Sequence, residues 1–122
     1  NPYHLNFHKS RAKIYLTLSA TNAEFYQKAA TELEDAVKLA PTDPKLAYNL
    51  GLVYTRLGSN DKAIEQFKRA IELKPNYESP YYALTLLYEQ TDQKKFIPEL
   101  LSNAKQNLAT YSSTLRDKIN IY

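Results

Sequence analysis

The feature that most constrains the fold is an internal repeat. A set of small and large apolar residues between Pro44 and Pro75 recurs in large part 34 residues later. Units of this length bury their apolar face by stacking on further copies. With only two glycines among 122 residues, helices are favoured over sheets, and the sequence therefore predicts an all-α solenoid of stacked repeats. The repeated positions are Leu50, Gly51, Tyr54, Ala63, Phe67, Ala70 and Pro75, followed by Tyr81, Leu84, Thr85, Tyr88, Ile97, Leu101 and Ala104.

An earlier repeat closes at Pro41, and two registers compete for its first helix. A strict count of 34 residues puts Lys13, Thr17 and Ala20 in buried positions, which suits them poorly. A register shifted by five residues fits better, and we adopt it; it implies an insertion near residues 16–23. Pro2 then becomes the closing proline of a still earlier repeat. The shifted register aligns Phe7, Ala12, Ile14, Tyr15 and Leu18 with Leu46, Gly51, Val53, Tyr54 and Leu57.

The motifs Leu50-Gly51-x2-Tyr54 and Ala63-x3-Phe67, with a closing proline, resemble the signature of the tetratricopeptide repeat. The opening tryptophan of that signature is replaced by Ala47. The resemblance implies three hairpins in a right-handed superhelix and a non-enzymatic protein–protein interaction module. We expect one domain over residues 1–122, with repeats at about 5–43, 44–77 and 78–109 and a capping helix at about 110–121.

Local signals set the expected helix ends. Asp43 before Pro44 is typical of an N-cap, and Gly58 suits a left-handed helix end. Thr21 and Glu24 predict a capping box for the second helix.

Two further signals lie near the C-terminus. Pro98 predicts that the last hairpin's second helix either starts late, near Lys95, or kinks. Apolar residues beyond Asn107 recur at helical spacing, which indicates an amphipathic capping helix. These residues are Leu108, Tyr111, Leu115, Ile119 and Tyr122.

Composition argues against several classes of function. With no cysteine, disulfides and thiolate chemistry are excluded, and no catalytic or phosphate-binding motif is present. The 16 basic residues against 13 acidic ones give a net charge of +3, too weak a bias to favour nucleic-acid binding. No apolar run approaches the roughly 20 residues of a membrane span, so no direct membrane insertion is expected.

Two clusters of titratable residues are candidates for chemistry. His4 and His8 have metal-ligand spacing but no completing ligand, so we expect them to face solvent. The acidic residues Glu32, Glu34 and Asp35 are expected on an exposed helix face. We therefore predict no catalytic residues, no metal and no cofactor.

The resemblance implies a concave groove lined by the first helix of each hairpin. It carries cations, two tyrosines, a central asparagine and a single carboxylate, Glu89, which favours a peptide or helix from a partner rich in acidic residues. The residues expected to bind are Lys9, Lys13, Lys45, Tyr48, Asn49, Leu52, Arg56, Tyr82 and Leu86.

Chaperone-binding members of the family grip a C-terminal carboxylate with lysine and asparagine side chains from successive repeats. Lys45 and Asn49 match the first pair of that clamp, but the next repeat supplies Ser79 and Ala83. If Asn49 is instead the middle member, Asn6 and Ser10 precede it where lysine and asparagine are needed. The clamp is incomplete in both registers, which disfavours a chaperone-tail adaptor.

The alternative is a structural spacer or self-association element of a larger protein. Tetratricopeptide tails occur on glycosyltransferases and membrane-bound polymer ligases, among other parents. An exposed N-terminal edge around Tyr3, Leu5 and Phe7 would allow a homo-oligomer. The cytoplasm is the favoured compartment, with the soluble tail of an envelope or membrane protein as the alternative.

Overall fold

A computed structural model describes residues 2–122, with side chains from Tyr3 onward. Within that range the chain forms seven α-helices and no strand, which confirms the predicted all-α class. A single 3₁₀ turn, Lys94–Phe96, precedes the sixth helix. The expected start of the domain at Asn1 lies outside the described residues. The helices are α1 Pro2–Leu18, α2 Phe25–Leu39, α3 Pro44–Leu57, α4 Asn60–Leu73, α5 Glu78–Gln90, α6 Ile97–Asn107 and α7 Ser113–Ile121.

The helices pair in chain order. α1 packs on α2, α3 on α4 and α5 on α6, while α2 on α3 and α4 on α5 join the hairpins into one stack. Gly51 of α3 shows why small residues are needed where the helices meet. A Cβ atom at this position would lie 2.6 Å from the ring of Phe67, whose side chain is fully buried in α4. The absence of a side chain therefore lets α3 and α4 approach closely.

Two of the predicted helix ends are confirmed. The Asp43 carboxylate accepts a hydrogen bond from the Lys45 backbone N–H at 3.0 Å, at the start of α3. Gly58 ends the same helix with φ of 75°, a left-handed conformation that glycine adopts at little cost.

The predicted capping box of α2 is wrong. The Thr21 hydroxyl donates to the Leu18 carbonyl at 2.9 Å and so closes the end of α1. The side chain of Asn22 accepts from the Glu24 backbone N–H instead, and α2 begins at Phe25. Thr21 is drawn to α1 because hydroxyls readily bond carbonyls three residues back.

α1 begins earlier than the register predicted. Its first residue is Pro2, which therefore starts a helix and does not lie in a loop that closes a previous repeat. Proline is well tolerated in the first turn, where no backbone N–H is required. Residues 19–24 join α1 to α2, whereas residues 58–59 join α3 to α4. The longer connection lies where the shifted register puts the insertion.

The last hairpin starts its second helix late, as Pro98 predicts. α6 begins at Ile97, so that Pro98 lies in its first turn and removes no helical hydrogen bond.

α7 begins at Ser113, three residues after the expected start near 110, because Ser112 is its N-cap. Leu108 and Tyr111 consequently precede α7. Leu115 lies within α7, and its side chain is fully buried. α7 packs on α5 and α6 and closes the C-terminal end of the stack. None of the helices described is long and apolar enough to span a bilayer.

Candidate functional site

The predicted groove residues gather in two clefts between the first helices of successive hairpins. The first, called the α1–α3 cleft, holds the cations Lys9 and Lys13 on α1 and Lys45 with Asn49 on α3. Its floor is apolar, because Leu33 of α2 and Leu46 of α3 are buried there. The side chains of Ala12, Leu16 and Asp43 complete the lining.

The α1–α3 cleft exists because these two helices stand apart. α3 contacts α5 and α5 contacts α7, but α1 makes no direct helix-to-helix contact with α3 in the described range. Lys9 spans the gap at one end, where its Nζ lies 3.5 Å from a carboxylate oxygen of Asp43. Lys13 and Lys45 are exposed, and within residues 3–122 neither forms an ion pair. The cleft thus offers cationic and amide donors above an apolar floor.

The second cleft, called the α3–α5 cleft, is less charged. Leu52 and Arg56 of α3 face Leu86 of α5 across it, and Phe67 and Leu87 lie at its base. Arg56 is exposed, and no carboxylate of the described chain pairs with it. Seven of the nine residues predicted to bind therefore line one cleft or the other.

The two tyrosines of the predicted groove lie outside both clefts. The ring of Tyr48 packs edge-on against Tyr77 at 5.5 Å and lies 6.0 Å from Phe67. Burial, followed by the neighbouring Tyr48 and Asp43, raises the pKa of Tyr77, as expected in a packed cluster. Tyr48 is therefore chiefly a packing residue, and Tyr82 is half-buried near Lys118. Sequence spacing identified the facing positions but not how deeply each ring packs.

The single carboxylate expected in the groove is already engaged. Lys118 of α7 donates to both carboxylate oxygens of Glu89 at 2.9 Å, and the Tyr122 hydroxyl donates at 2.8 Å. These bonds lower the pKa of Glu89 and raise the pKa of Lys118. α7 thereby neutralises Glu89 on the inner side of α5, and the carboxylate of Asp43 in the α1–α3 cleft is paired with Lys9.

His8 and Glu32 differ from expectation. The Glu32 carboxylate is buried and is not on an exposed face; it lies 2.5 Å from His8 Nδ1 and 2.8 Å from Arg11 Nε. Asp35 completes a group whose ligand atoms lie within 4.8 Å of one another. Because Arg11 already neutralises Glu32, this cluster is an ion-pair network that ties α1 to α2. Sequence analysis missed it because the partners are 24 residues apart in the chain.

The α1–α3 cleft also bears on the carboxylate clamp. Lys9 and Lys13 line this cleft beside Asn49, whereas Asn6 and Ser10, which stand at the clamp positions before Asn49, are not among its lining residues. The third hairpin still carries Ser79 and Ala83 at the remaining clamp positions. The pattern of the chaperone-binding members is therefore still incomplete in this chain.

Comparison with known proteins supports the repeat assignment. A family described as "TPR repeat" matches residues 53–92, which cover the end of α3, all of α4 and α5. The TPR2B domain of yeast Sti1, solved in its pHsp70 complex, superposes with a TM-score of 0.79 over 98 % of this chain and 94 % of that one, at 22 % identity. The chain contains a tetratricopeptide repeat and has the fold of tetratricopeptide domains.

Other tetratricopeptide proteins show the same likeness. The domain of Sgt2 from Aspergillus fumigatus has a TM-score of 0.73 and 20 % identity, and the match covers 93 % of this chain and 75 % of that one. At these identities the similarity concerns the fold. In sequence, the photosystem I assembly protein Ycf3 of Synechococcus sp. (strain CC9605) is 30 % identical over 91 residues, 70 % of this chain and 53 % of that protein. The chain spans between 4 % and 53 % of the curated relatives that it matches.

Proposed function

We propose that this tetratricopeptide module is a non-enzymatic adaptor that binds an acidic peptide segment of a partner protein along its concave side. The observation that carries the proposal is the α1–α3 cleft, in which Lys9, Lys13 and Lys45 surround an apolar floor beside Asn49. A carboxylate above that floor would meet several cationic donors, while neighbouring apolar side chains of the ligand would cover Leu33 and Leu46.

The proposed ligand continues into the α3–α5 cleft. Arg56 offers planar guanidinium donors for a second acidic residue, and Leu52 with Leu86 offers apolar surface. The Asn49 side-chain amide can both donate to and accept from an extended backbone. Because Glu89 is bound to Lys118, no free carboxylate repels an acidic ligand on the inner side of α5.

The alternative, self-association through the N-terminal edge, is favoured by exposed apolar residues on α1 such as Phe7 and Ile14. Charge opposes it. α1 carries Lys9, Arg11 and Lys13 but no carboxylate, so two copies of this helix would repel one another.

A random-peptide display selection tests the adaptor proposal. We expect enriched peptides to carry Asp or Glu next to apolar residues. Their affinity should fall about tenfold or more, or by at least ~1.4 kcal/mol, when Lys13→Glu and Arg56→Glu are combined. The variant Tyr48→Ala is avoided because that ring packs against Tyr77 and Phe67.

A matched control reverses two exposed lysines away from the groove, Lys38→Glu on α2 and Lys105→Glu on α6. It changes the net charge by the same amount, so long-range electrostatics is held constant. An equal loss of affinity in both double variants would contradict peptide binding in the groove. Enrichment of peptides without acidic residues would contradict the proposed chemistry of the ligand.

A further inference from the structure

The outer face of α1, defined here by Phe7, Arg11, Ile14 and Leu18, is exposed. Phe7, Ile14 and Leu18 are 53 %, 56 % and 40 % exposed, although they follow one another at helical spacing on one side. Of the helices described, only α2 packs on α1, and it does so from another direction. An apolar stripe of this length on a helix surface marks an interaction site.

The same stripe occurs in α3, where it is covered. Leu46, Leu50, Val53 and Leu57 have the spacing of the outer face of α1, and the first three are only 2–3 % exposed. α2 packs on α3, and α4 packs on α5 in the equivalent way. The outer face of α1 has the same apolar spacing as the face of α3 that α2 covers. It can therefore accept a helix packed in the way that α2 packs on α3.

Charge indicates what kind of helix fits. The helix packed on α3, α2, carries three carboxylates against two lysines. One of the three, Glu34, hydrogen-bonds Tyr54 of α3. Burial and this carboxylate together raise the pKa of Tyr54 to about 12.

α1 repeats this pattern. α1 carries no carboxylate, and Tyr15 stands at the register position of Tyr54. Arg11 lies in the middle of the outer face, with its guanidinium 5.3 Å from the ring centre of Phe7 and 5.7 Å from that of Tyr15. Its Nε contacts Glu32 and one terminal nitrogen donates to Tyr15, so further N–H groups remain to donate to an incoming carboxylate.

We propose that the outer face of α1 binds an acidic amphipathic helix of a partner protein, packed on α1 as α2 packs on α3. The site is separate from the two clefts of the concave groove. A single helix buries less than the roughly 800 Å² per partner of a standard interface, so the complex is a transient one. A second copy of this chain is a poorer occupant, because its α1 brings the same positive charges.

The probe is a stapled helical peptide with the sequence of residues 24–40, which carries the apolar and acidic pattern of α2. Binding to the intact chain is followed by fluorescence anisotropy, and the site is mapped by amide chemical shifts. We expect shifts in α1 and an affinity that falls about tenfold or more with Ile14→Lys. The same loss is expected with a peptide that carries Glu32→Lys, Glu34→Lys and Asp35→Lys.

Ile121→Lys is the control in the chain, because Ile121 is also exposed, slightly more than Ile14, but lies on α7. It should leave peptide affinity unchanged. Leu18→Gln is the second variant on α1, and circular dichroism checks that both variants remain helical.

Three results would overturn the proposal. The first is no binding of the peptide at millimolar concentration. The second is equal binding to the Ile14→Lys chain, as when the peptide displaces α2 from α3. The third is a dimer in sedimentation equilibrium that Ile14→Lys converts to monomer, in which case a second copy occupies this face. None of these results bears on peptide binding in the concave groove, which Ile14→Lys does not alter.

Discussion

At the scale of single residues, Gly51 limits how closely α3 and α4 approach. A methyl group there would overlap the Phe67 ring, which is buried. We expect Gly51→Ala to lower the free energy of unfolding by about 1–3 kcal/mol, as overpacking of a tight core does. Urea denaturation measures this change.

The reason for that loss can be isolated with a second substitution. The Phe67→Leu variant lacks the ring. Adding Gly51→Ala to it should therefore lower the free energy of unfolding by less than the same substitution does in the natural chain. An equal cost in both backgrounds would show that Gly51 acts through backbone conformation and not through contact with Phe67.

Glu89 provides a residue-scale prediction about pH. Its pKa is lowered mainly by the hydrogen bonds from Lys118, so the folded state binds its proton less readily than the unfolded state does. The stabilisation is therefore fully present above the ordinary glutamate pKa of about 4.3 and is lost as pH falls through the lower folded value.

Thermal unfolding of the natural chain and the Glu89→Gln variant from pH 7 to pH 3 tests this. The melting temperatures of the two chains should differ most above pH 5 and become equal in acid. A difference that stays constant through this range would mean that the Glu89 carboxylate makes no net contribution through its charge.

At the scale of elements, α7 closes the stack by burying Leu115. This side chain is fully buried, whereas Ile121 on the same helix is 69 % exposed. We expect Leu115→Ala to cost about 2–4 kcal/mol of stability and Ile121→Ala less than about 0.5 kcal/mol. Chemical denaturation of both variants checks it. Similar costs for the two would mean that α7 is not docked as described.

The sequence predicts elements well where the evidence is local. Asp43 with Pro44, Gly58, and Pro98 each determine a helix end through their own backbone geometry, and all three ends are confirmed. Thr21 fails because its hydroxyl has two local partners, and the preceding helix provides the nearer one. Leu108 fits a helical stripe by spacing, yet Ser112 starts α7 after it.

The candidate site is less predictable than the fold for a physical reason. Repeat spacing tells which side of a helix each residue faces, and this placed Lys13, Asn49 and Arg56 toward the clefts. It contains no information on contacts between residues far apart in the chain. The pairing of Glu89 with Lys118 and of Glu32 with His8 therefore emerges only in three dimensions.

At the scale of the whole molecule, the stack is asymmetric. Among the described residues, α7 packs on α5 and α6, no helix covers the outer face of α1, and Lys13, Lys45 and Arg56 on the concave side form no ion pair. Binding of an acidic peptide in the groove should therefore weaken with salt. We expect the dissociation constant to rise between 50 and 500 mM NaCl in isothermal titration. An affinity independent of salt would indicate that apolar contacts alone hold the ligand.

The most direct test of the central claim is to map where a selected acidic peptide binds. Amide chemical shifts of the labelled chain should change at Lys13, Lys45, Asn49 and Arg56, which line the two clefts of the concave side. Residues of α2, α4 and α6 that face outward should be unaffected. Shifts that cluster on those outward faces, with the cleft residues unchanged, would contradict the account.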